Sequence, residues 1–128
     1  MQIKNSDFRY WFNRASALVR LKKYNEAIEC FDKAIELNPN FYLLWYFKAK
    51  SLIELNRYEE SIECLNKASS LDANNFRILF TISKVYYELK QYDKAMEYII
   101  KAKELNSSDY DLLLFVEKIT KSQNNNVY

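Results

Sequence analysis

The chain has 128 residues, of which 49% are apolar and 16% aromatic, which is enough to bury the core of one folded domain. Its 19 basic and 17 acidic residues leave a formal net charge of +2, which excludes recognition of nucleic acid or acidic lipid through overall charge alone. Histidine and glycine are absent and proline occurs once, which excludes the usual glycine-rich phosphate loops and histidine-based sites and favours an all-helical chain.

The first predicted helices follow a polar leader, residues 1–7, which has no apolar segment of the kind found in secretory signals. Apolar residues at helical spacing from Trp11 to Leu21 predict one amphipathic helix, and a second set from Tyr24 to Ile35 predicts another after a tight turn. No apolar run reaches the roughly 18 residues that span a bilayer. We therefore predict a cytoplasmic location and no membrane partner.

The two-helix pattern recurs with a fixed period of 34 residues. The three copies are residues 8–41, 42–75 and 76–109. Equivalent places hold the same or similar residues in each copy, namely Trp11, Trp45 and Leu79; Tyr24, Tyr58 and Tyr92; Ala34, Ala68 and Ala102; Leu37, Leu71 and Leu105. A repeat of this length predicts stacked helix pairs rather than one globular core.

Small residues mark the places where the two helices of each copy are expected to approach closely. They lie at equivalent places in the first helices (Ala15, Ala49, Ser83) and in the second helices (Ala27, Ser61, Ala95). Side-chain oxygens just before the following first helices predict N-caps at Asn40, Asn74 and Asp109. Close packing of each pair and a polar start to each first helix are therefore predicted.

Two further sets of equivalent positions lie in the second helices of the copies. Each has a glutamate followed four residues later by a lysine, and these are predicted to pair on a solvated face: Glu29 with Lys33, Glu63 with Lys67, and Glu97 with Lys101. Cys30 and Cys64 occupy equivalent places in consecutive copies. Neighbouring helix axes about 8–10 Å apart would hold them beyond disulfide reach, so both are predicted to be reduced.

The last predicted helix, residues 110–121, repeats the first half of the unit. Leu112 and Ile119 continue the apolar stripe, but Glu117 falls in the column of small residues. A charge at that place is typical of an end, where no further helix presses against it. We expect a capping helix here, followed by a flexible polar tail at 122–128.

At the characteristic places of the unit, the first copy reads Trp11, Arg14, Ala15, Leu18, Ala27, Phe31, Ala34 and Pro39. This pattern resembles the tetratricopeptide repeat, TPR. Departures are mild, such as Arg14 and Lys48 in place of an expected leucine. The resemblance implies an all-α solenoid of seven helices, in which three antiparallel helix pairs and the capping helix form a right-handed superhelix. It also implies a protein interaction module or scaffold whose concave wall is built from first helices.

The resemblance places one set of side chains on that concave wall. They are Arg9, Phe12, Asn13, Ser16, Leu43, Tyr46, Phe47, Lys50, Arg77, Phe80, Thr81, Lys84, Tyr87, Leu114 and Lys118. Aromatic rings beside lysines are typical of a peptide-binding groove, in which apolar anchors supply affinity and lysines select acidic neighbours. The predicted partner is a protein or peptide with an apolar residue near Asp or Glu. Alternatively, some rings pack between adjacent first helices and the lysines are only solvated.

Family members that hold the C-terminal carboxylate of heat-shock chaperones use lysine, asparagine and arginine at five places on this wall. Those places here hold Phe12, Ser16, Phe47, Arg77 and Thr81, and of these only Arg77 is a plausible substitute. A chaperone-tail clamp is therefore not expected.

Three other functions compete with peptide binding. The first is catalysis, but no catalytic residue, cofactor or metal is predicted, because the repeated carboxylates lie beside lysines on outer helix faces. Binding of single-stranded RNA is disfavoured by a sequence pI of only about 8.4. Self-association into a homodimer through Leu114 and Phe115 of the last helix is the remaining alternative.

Overall fold

The computed structural model describes residues 6–125, and these residues form seven α-helices with no strand among them. The helices are α1 (Phe8–Arg20), α2 (Tyr24–Leu37), α3 (Tyr42–Glu54), α4 (Tyr58–Leu71), α5 (Phe76–Glu88), α6 (Tyr92–Leu105) and α7 (Tyr110–Asn125). The odd-numbered helices begin 34 residues apart, as do α2, α4 and α6. The predicted all-α repeat fold is confirmed. Residues 1–5 of the predicted leader and 126–128 of the predicted tail lie outside the described residues.

The turn inside each helix pair is a Schellman motif. After α1, the Lys22 N–H donates to Val19 O at 2.9 Å, and the Lys23 N–H donates to Leu18 O at 2.9 Å. The turns after α3 and α5 repeat both bonds. One residue in each turn has the left-handed backbone conformation. These residues are, in chain order, Lys22 (φ 59°), Asn56 (φ 58°) and Lys90 (φ 60°). Glycine is the usual residue at this position.

The N-caps differ from one first helix to the next. Asn75 caps α5 by accepting from two backbone N–H groups, so the cap predicted at Asn74 is wrong by one residue. Asp109 accepts from the Leu112 N–H at 2.9 Å, which confirms the cap predicted there. The cap predicted at Asn40 is wrong, because the N-cap of α3 is Phe41, which has no side-chain acceptor.

The chain divides into two compact units: unit 1 up to Asp72, which contains α1–α4, and unit 2 from Ala73, which contains α5–α7. The largest fully buried side chains of unit 1 are Phe31, Leu44, Leu52 and Leu65. Those of unit 2 are Ile78, Ile82, Val85, Ile99, Leu112 and Ile119. The apolar stripe of each helix therefore faces the interior of its unit.

The small-residue columns lie where they were predicted. Ala15, Ala49, Ser83, Ala27, Ser61 and Ala95 are all 0% exposed. In unit 2 the two columns touch, since the Ser83 hydroxyl donates to the Ala95 carbonyl at 2.6 Å. A hydroxyl in place of a methyl group is accommodated because it has this partner.

Helix α7 is longer than predicted. It continues to Asn125, so the expected end at residue 121 is corrected. The Ser122 hydroxyl lies 2.9 Å from the Tyr87 hydroxyl, and Gln123 Nε2 donates to Asp93 Oδ1 at 3.0 Å. These polar contacts hold the last turn of α7 against α5 and α6 within unit 2.

No helix among residues 6–125 combines the length and the apolar content that crossing a membrane requires.

Candidate functional site

In unit 1, the first helices carry a cluster of aromatic rings. The Phe12 ring centroid lies 5.9 Å from that of Phe47 and 6.4 Å from that of Phe41. Phe8 packs edge-on against Phe41 at 5.7 Å. Such distances are typical of attractive aromatic pairs. Phe47 remains 37% exposed, so this cluster presents an apolar ring to its surroundings.

An open cavity lies beside this cluster. It has a volume of about 190 Å³ and is lined by Val19, Tyr24, Phe47, Lys50, Ser51 and Glu54. Lys50 also places its ammonium 5.9 Å from the centre of the Tyr46 ring. Unit 1 therefore offers a small recess whose lining combines apolar side chains with one positive charge, Lys50, and one negative charge, Glu54.

In unit 2, α5 and α7 form a second aromatic and basic cluster. The Phe115 ring lies 5.7 Å from Phe80 and 5.4 Å from Tyr87. Lys84 places its ammonium 4.2 Å from the centre of the Phe80 ring, and Lys118 places its ammonium 4.9 Å from that of Tyr87. The distances are within the range of cation–π attraction.

The predicted wall residues differ in how much surface they present. The exposed ones are Arg9, Asn13, Phe47, Lys50, Arg77, Lys84, Leu114 and Lys118. The half-buried ones are Phe12, Ser16, Leu43, Tyr46 and Tyr87. Phe80 and Thr81 are buried, at 8% and 9% exposure, and present little surface to a partner. Phe80 packs on Phe115, and the Thr81 hydroxyl donates to Arg77 O at 2.8 Å.

Arg9 already has an anionic neighbour. Its guanidinium lies 2.6 Å from an Asp7 carboxylate oxygen, and these hydrogen bonds lower the pKa of Asp7. Its positive charge is therefore partly offset within the chain. Arg77 has an aromatic neighbour instead, since its guanidinium lies 5.5 Å from the centre of the Phe76 ring.

The predicted glutamate–lysine pairs form in only one of the three copies. Glu97 and Lys101 pair at 3.5 Å. Lys33 instead places its ammonium 4.3 Å from the Trp11 ring, and Lys67 lies 6.0 Å from the Trp45 ring. The third copy has Leu79 in the tryptophan column, and its Lys101 pairs with Glu97 while also lying 4.9 Å from the centre of the Tyr98 ring. The column of tryptophans shows in the sequence that a ring was available to these lysines, but not that the ring would be chosen over the glutamate.

The two cysteines are buried thiols, and the acidic residues form no metal-binding cluster in the described part of the chain. Cys30 and Cys64 are free and buried, and burial raises the pKa of both thiols. A raised pKa leaves less thiolate at neutral pH, which is typical of an unreactive cysteine. Among residues 6–125, no three Cys, Asp or Glu side chains come together in a way that could hold a metal ion.

Family models of the tetratricopeptide repeat match the chain along most of its length. The matches described as "Tetratricopeptide repeat" cover residues 8–41, 30–63 and 76–109, and one described as "TPR repeat" covers residues 49–90. No relative was found among curated proteins.

Solved TPR domains have similar folds. The first TPR of Spaghetti (RPAP3), bound to the HSP90 peptide SRMEEVD, is 16% identical with a TM-score of 0.87, covering 97% of this chain and 98% of that one. The Arabidopsis OM64 TPR domain is 19% identical with a TM-score of 0.83, covering 89% and 94%. The second TPR domain of human RPAP3, in complex with the HSP70 peptide SGPTIEEVD, is 20% identical with a TM-score of 0.79, covering 84% and 90%.

Proposed function

Because this chain belongs to the tetratricopeptide repeat family, we propose that it is a protein–protein interaction module of the cytoplasm. Its partner would be a peptide segment in which an apolar residue lies beside acidic residues. The module would act by binding alone, without catalysis, cofactor or metal. Unit 1 and unit 2 each contribute their own candidate surface to this proposal.

The observation that carries the proposal is the repeated placement of lysines over rings. Lys50, Lys84 and Lys118 each hold their ammonium between 4.2 and 5.9 Å from an aromatic centre. A lysine stem lying along a ring keeps its charge at a defined place on the surface. An acidic side chain of a partner would meet that charge while its apolar neighbour contacts the exposed aromatic surface.

The ligands of the similar domains are compatible with this chemistry. The peptides bound by the two RPAP3 domains, SRMEEVD and SGPTIEEVD, both place a methionine or isoleucine directly before two glutamates. Of the five places associated with a chaperone-tail clamp, only Arg77 holds a plausible substitute here, and two of the others hold Phe12 and Phe47. We therefore propose that the apolar residue of the partner, rather than a terminal carboxylate, is the main anchor.

The test is a titration of fluorescent peptides in which an apolar residue is flanked by two glutamates. We expect Lys84→Glu and Lys118→Glu to weaken binding at least about fivefold if unit 2 is used, and Tyr46→Ala and Phe47→Ala to do so if unit 1 is used. Lys103→Glu is the matched control, since Lys103 is an exposed lysine of α6 outside both clusters.

Two outcomes contradict the proposal. One is unchanged affinity in all four variants. The other is tight binding of single-stranded RNA with a steep loss of affinity as salt rises, because that dependence indicates contacts to phosphates.

A second candidate function is self-association through α7. Tyr110, Leu113 and Leu114 of this helix are 72%, 39% and 47% exposed. Phe115 packs on Phe80 and Tyr87, so Leu114 is the more accessible of the two residues first predicted for a dimer. Sedimentation velocity would show a doubled mass that Leu114→Lys reduces to that of the monomer. A single monomeric species at high concentration contradicts this candidate.

A further inference from the structure

A second cavity lies on a different part of unit 1 and is lined only by residues of α1 and α2. This surface, here called the α1–α2 face, is formed by Trp11, Arg14, Leu18 and Cys30 with their neighbours and surrounds an open cavity of about 360 Å³. Trp11 and Leu18 are only half-buried there. Arg14 is exposed and donates a hydrogen bond to the Tyr10 hydroxyl at 3.3 Å.

The next repeat shows what covers an equivalent face. Thirty-four residues further on, Lys48 stands in the place of Arg14, and Leu52 in that of Leu18. Leu52 is 1% exposed. The Lys48 ammonium lies 2.7 Å from an Asp32 carboxylate oxygen of α2. Helix α2 of unit 1 therefore brings the carboxylate of Asp32 to Lys48, the basic residue on the equivalent face of α3 and α4.

The electrostatic surroundings of the two equivalent cysteines agree with this comparison. Burial raises the pKa of Cys64, the Lys48 charge opposes that increase, and the Asp32 charge adds to it. Burial also raises the pKa of Cys30, and there Arg14 opposes the increase. The charge of Arg14 thus acts on Cys30 in the same direction as the charge of Lys48 acts on Cys64.

The carboxylates that already line the α1–α2 cavity do not prevent a carboxylate of a partner from binding there. Glu26 and Glu29 belong to its lining. Their equivalents, Glu60 and Glu63, lie near Cys64, where Asp32 is nonetheless accommodated. Glu60 is engaged by Arg57 at 2.6 Å, and Lys23 stands at the place equivalent to Arg57.

We propose that the α1–α2 face is a docking surface for an amphipathic helix that carries a carboxylate opposite Arg14. The argument is charge complementarity, because the same repeat-equivalent place is filled by a Lys48–Asp32 pair. This surface is separate from the aromatic cluster and cavity assigned to peptide binding, so either proposal can fail without the other.

The probe is a blocked peptide with the sequence of α2, Tyr24–Leu37, in which alanine replaces the cysteine. It is used because α2 carries the carboxylate that meets the equivalent face. The isolated helix is short and only marginally stable in water, so binding in the millimolar range is expected. Binding is followed by NMR of the ¹⁵N-labelled full chain, whose two tryptophans are Trp11, on the face, and Trp45 as internal control.

The expected result is a saturable shift of the Trp11 indole signal while the Trp45 signal stays in place. A peptide with Asp32→Lys should bind about fivefold more weakly, and Arg14→Glu in the protein should reverse that preference. Lys103→Glu, which makes the same charge change on α6, should leave the preference unaltered. Circular dichroism checks that both protein variants remain folded.

Three outcomes overturn the proposal. One is the lack of a saturable Trp11 shift at millimolar peptide. Another is equal binding of the two peptides both to the unaltered chain and to its Arg14→Glu variant. The third is a Trp11 shift that depends on protein concentration without any peptide, because the occupant would then be a second copy of this chain.

Discussion

At the scale of single residues, the small side chains that recur every 34 residues set how closely two helices pack. All six are fully buried, as their spacing in the sequence predicted. They could be predicted because burial of a small residue depends on its place in the repeat and not on the details of its neighbours. The contact of Lys33 with Trp11 could not, because choosing between a ring on α1 and a carboxylate on its own helix requires the coordinates.

We expect Ala15→Leu to lower the free energy of unfolding by about 1–3 kcal/mol, because three added carbons must enter a filled interface. The matched control is Ala17→Leu, the same change on the same helix at an exposed position. It should alter stability by less than about 0.5 kcal/mol. Urea denaturation followed by circular dichroism measures both, and equal effects would show that α1 does not approach α2 closely at Ala15.

At the scale of the helix, the starts and turns depend on local hydrogen bonds that the repeat pattern predicts only in part. The N-cap of α5 is Asn75, whereas the sequence predicted its neighbour Asn74. Two adjacent asparagines carry the same capping chemistry, and only the backbone conformation decides which of them caps.

We expect Asn75→Ala to cost about 1 kcal/mol, since two N–H groups of the first turn of α5 lose their acceptor. Asn74→Ala is the control, and it should cost no more than a few tenths of a kcal/mol, in line with other surface changes. Thermal and urea unfolding of the two variants give the comparison. A larger loss for Asn74→Ala would contradict the assigned cap.

The left-handed residues of the turns give a prediction in the opposite direction. Lys90 has φ 60°, a conformation that costs a residue with a Cβ roughly 1–2 kcal/mol. Lys90→Gly removes that cost and adds back about 0.5–1 kcal/mol of chain entropy in the unfolded state. We expect a net stabilisation of up to about 1.5 kcal/mol, and less for Asn56→Gly because asparagine tolerates this conformation better.

The control for this prediction is Lys94→Gly, an exposed position inside α6. It should destabilise the chain by about 0.5–1 kcal/mol, as glycine does within helices. The same urea unfolding assay serves both. Destabilisation by Lys90→Gly to the same extent as by Lys94→Gly would contradict the role given to the turn.

At the scale of the whole molecule, the fold was predictable because one period governs every helix start. For the candidate site, the sequence predicted a set of residue positions but not how exposed each side chain is. The exposed lysines were expected from the repeat, whereas the burial of Phe80 and Thr81 depends on packing that no single column of the sequence reveals.

The small net charge of +2 leads to the last prediction, which concerns salt. Binding of a peptide with two glutamates should rest mainly on apolar contact, with about 0.2–1 kcal/mol from each exposed ion pair. Raising sodium chloride from about 50 to about 500 mM should therefore weaken the complex by no more than about tenfold, since salt screens exposed charges.

The matched control for this effect is the same peptide with glutamine in place of both glutamates. Its affinity should start lower and change little with salt, because only the charged peptide has ion pairs to lose. Fluorescence anisotropy at each salt concentration measures both peptides. Equal salt dependence of the two would mean that Lys50, Lys84 and Lys118 do not contact the acidic residues, and a loss beyond about a thousandfold would instead indicate the many contacts of a polyanion.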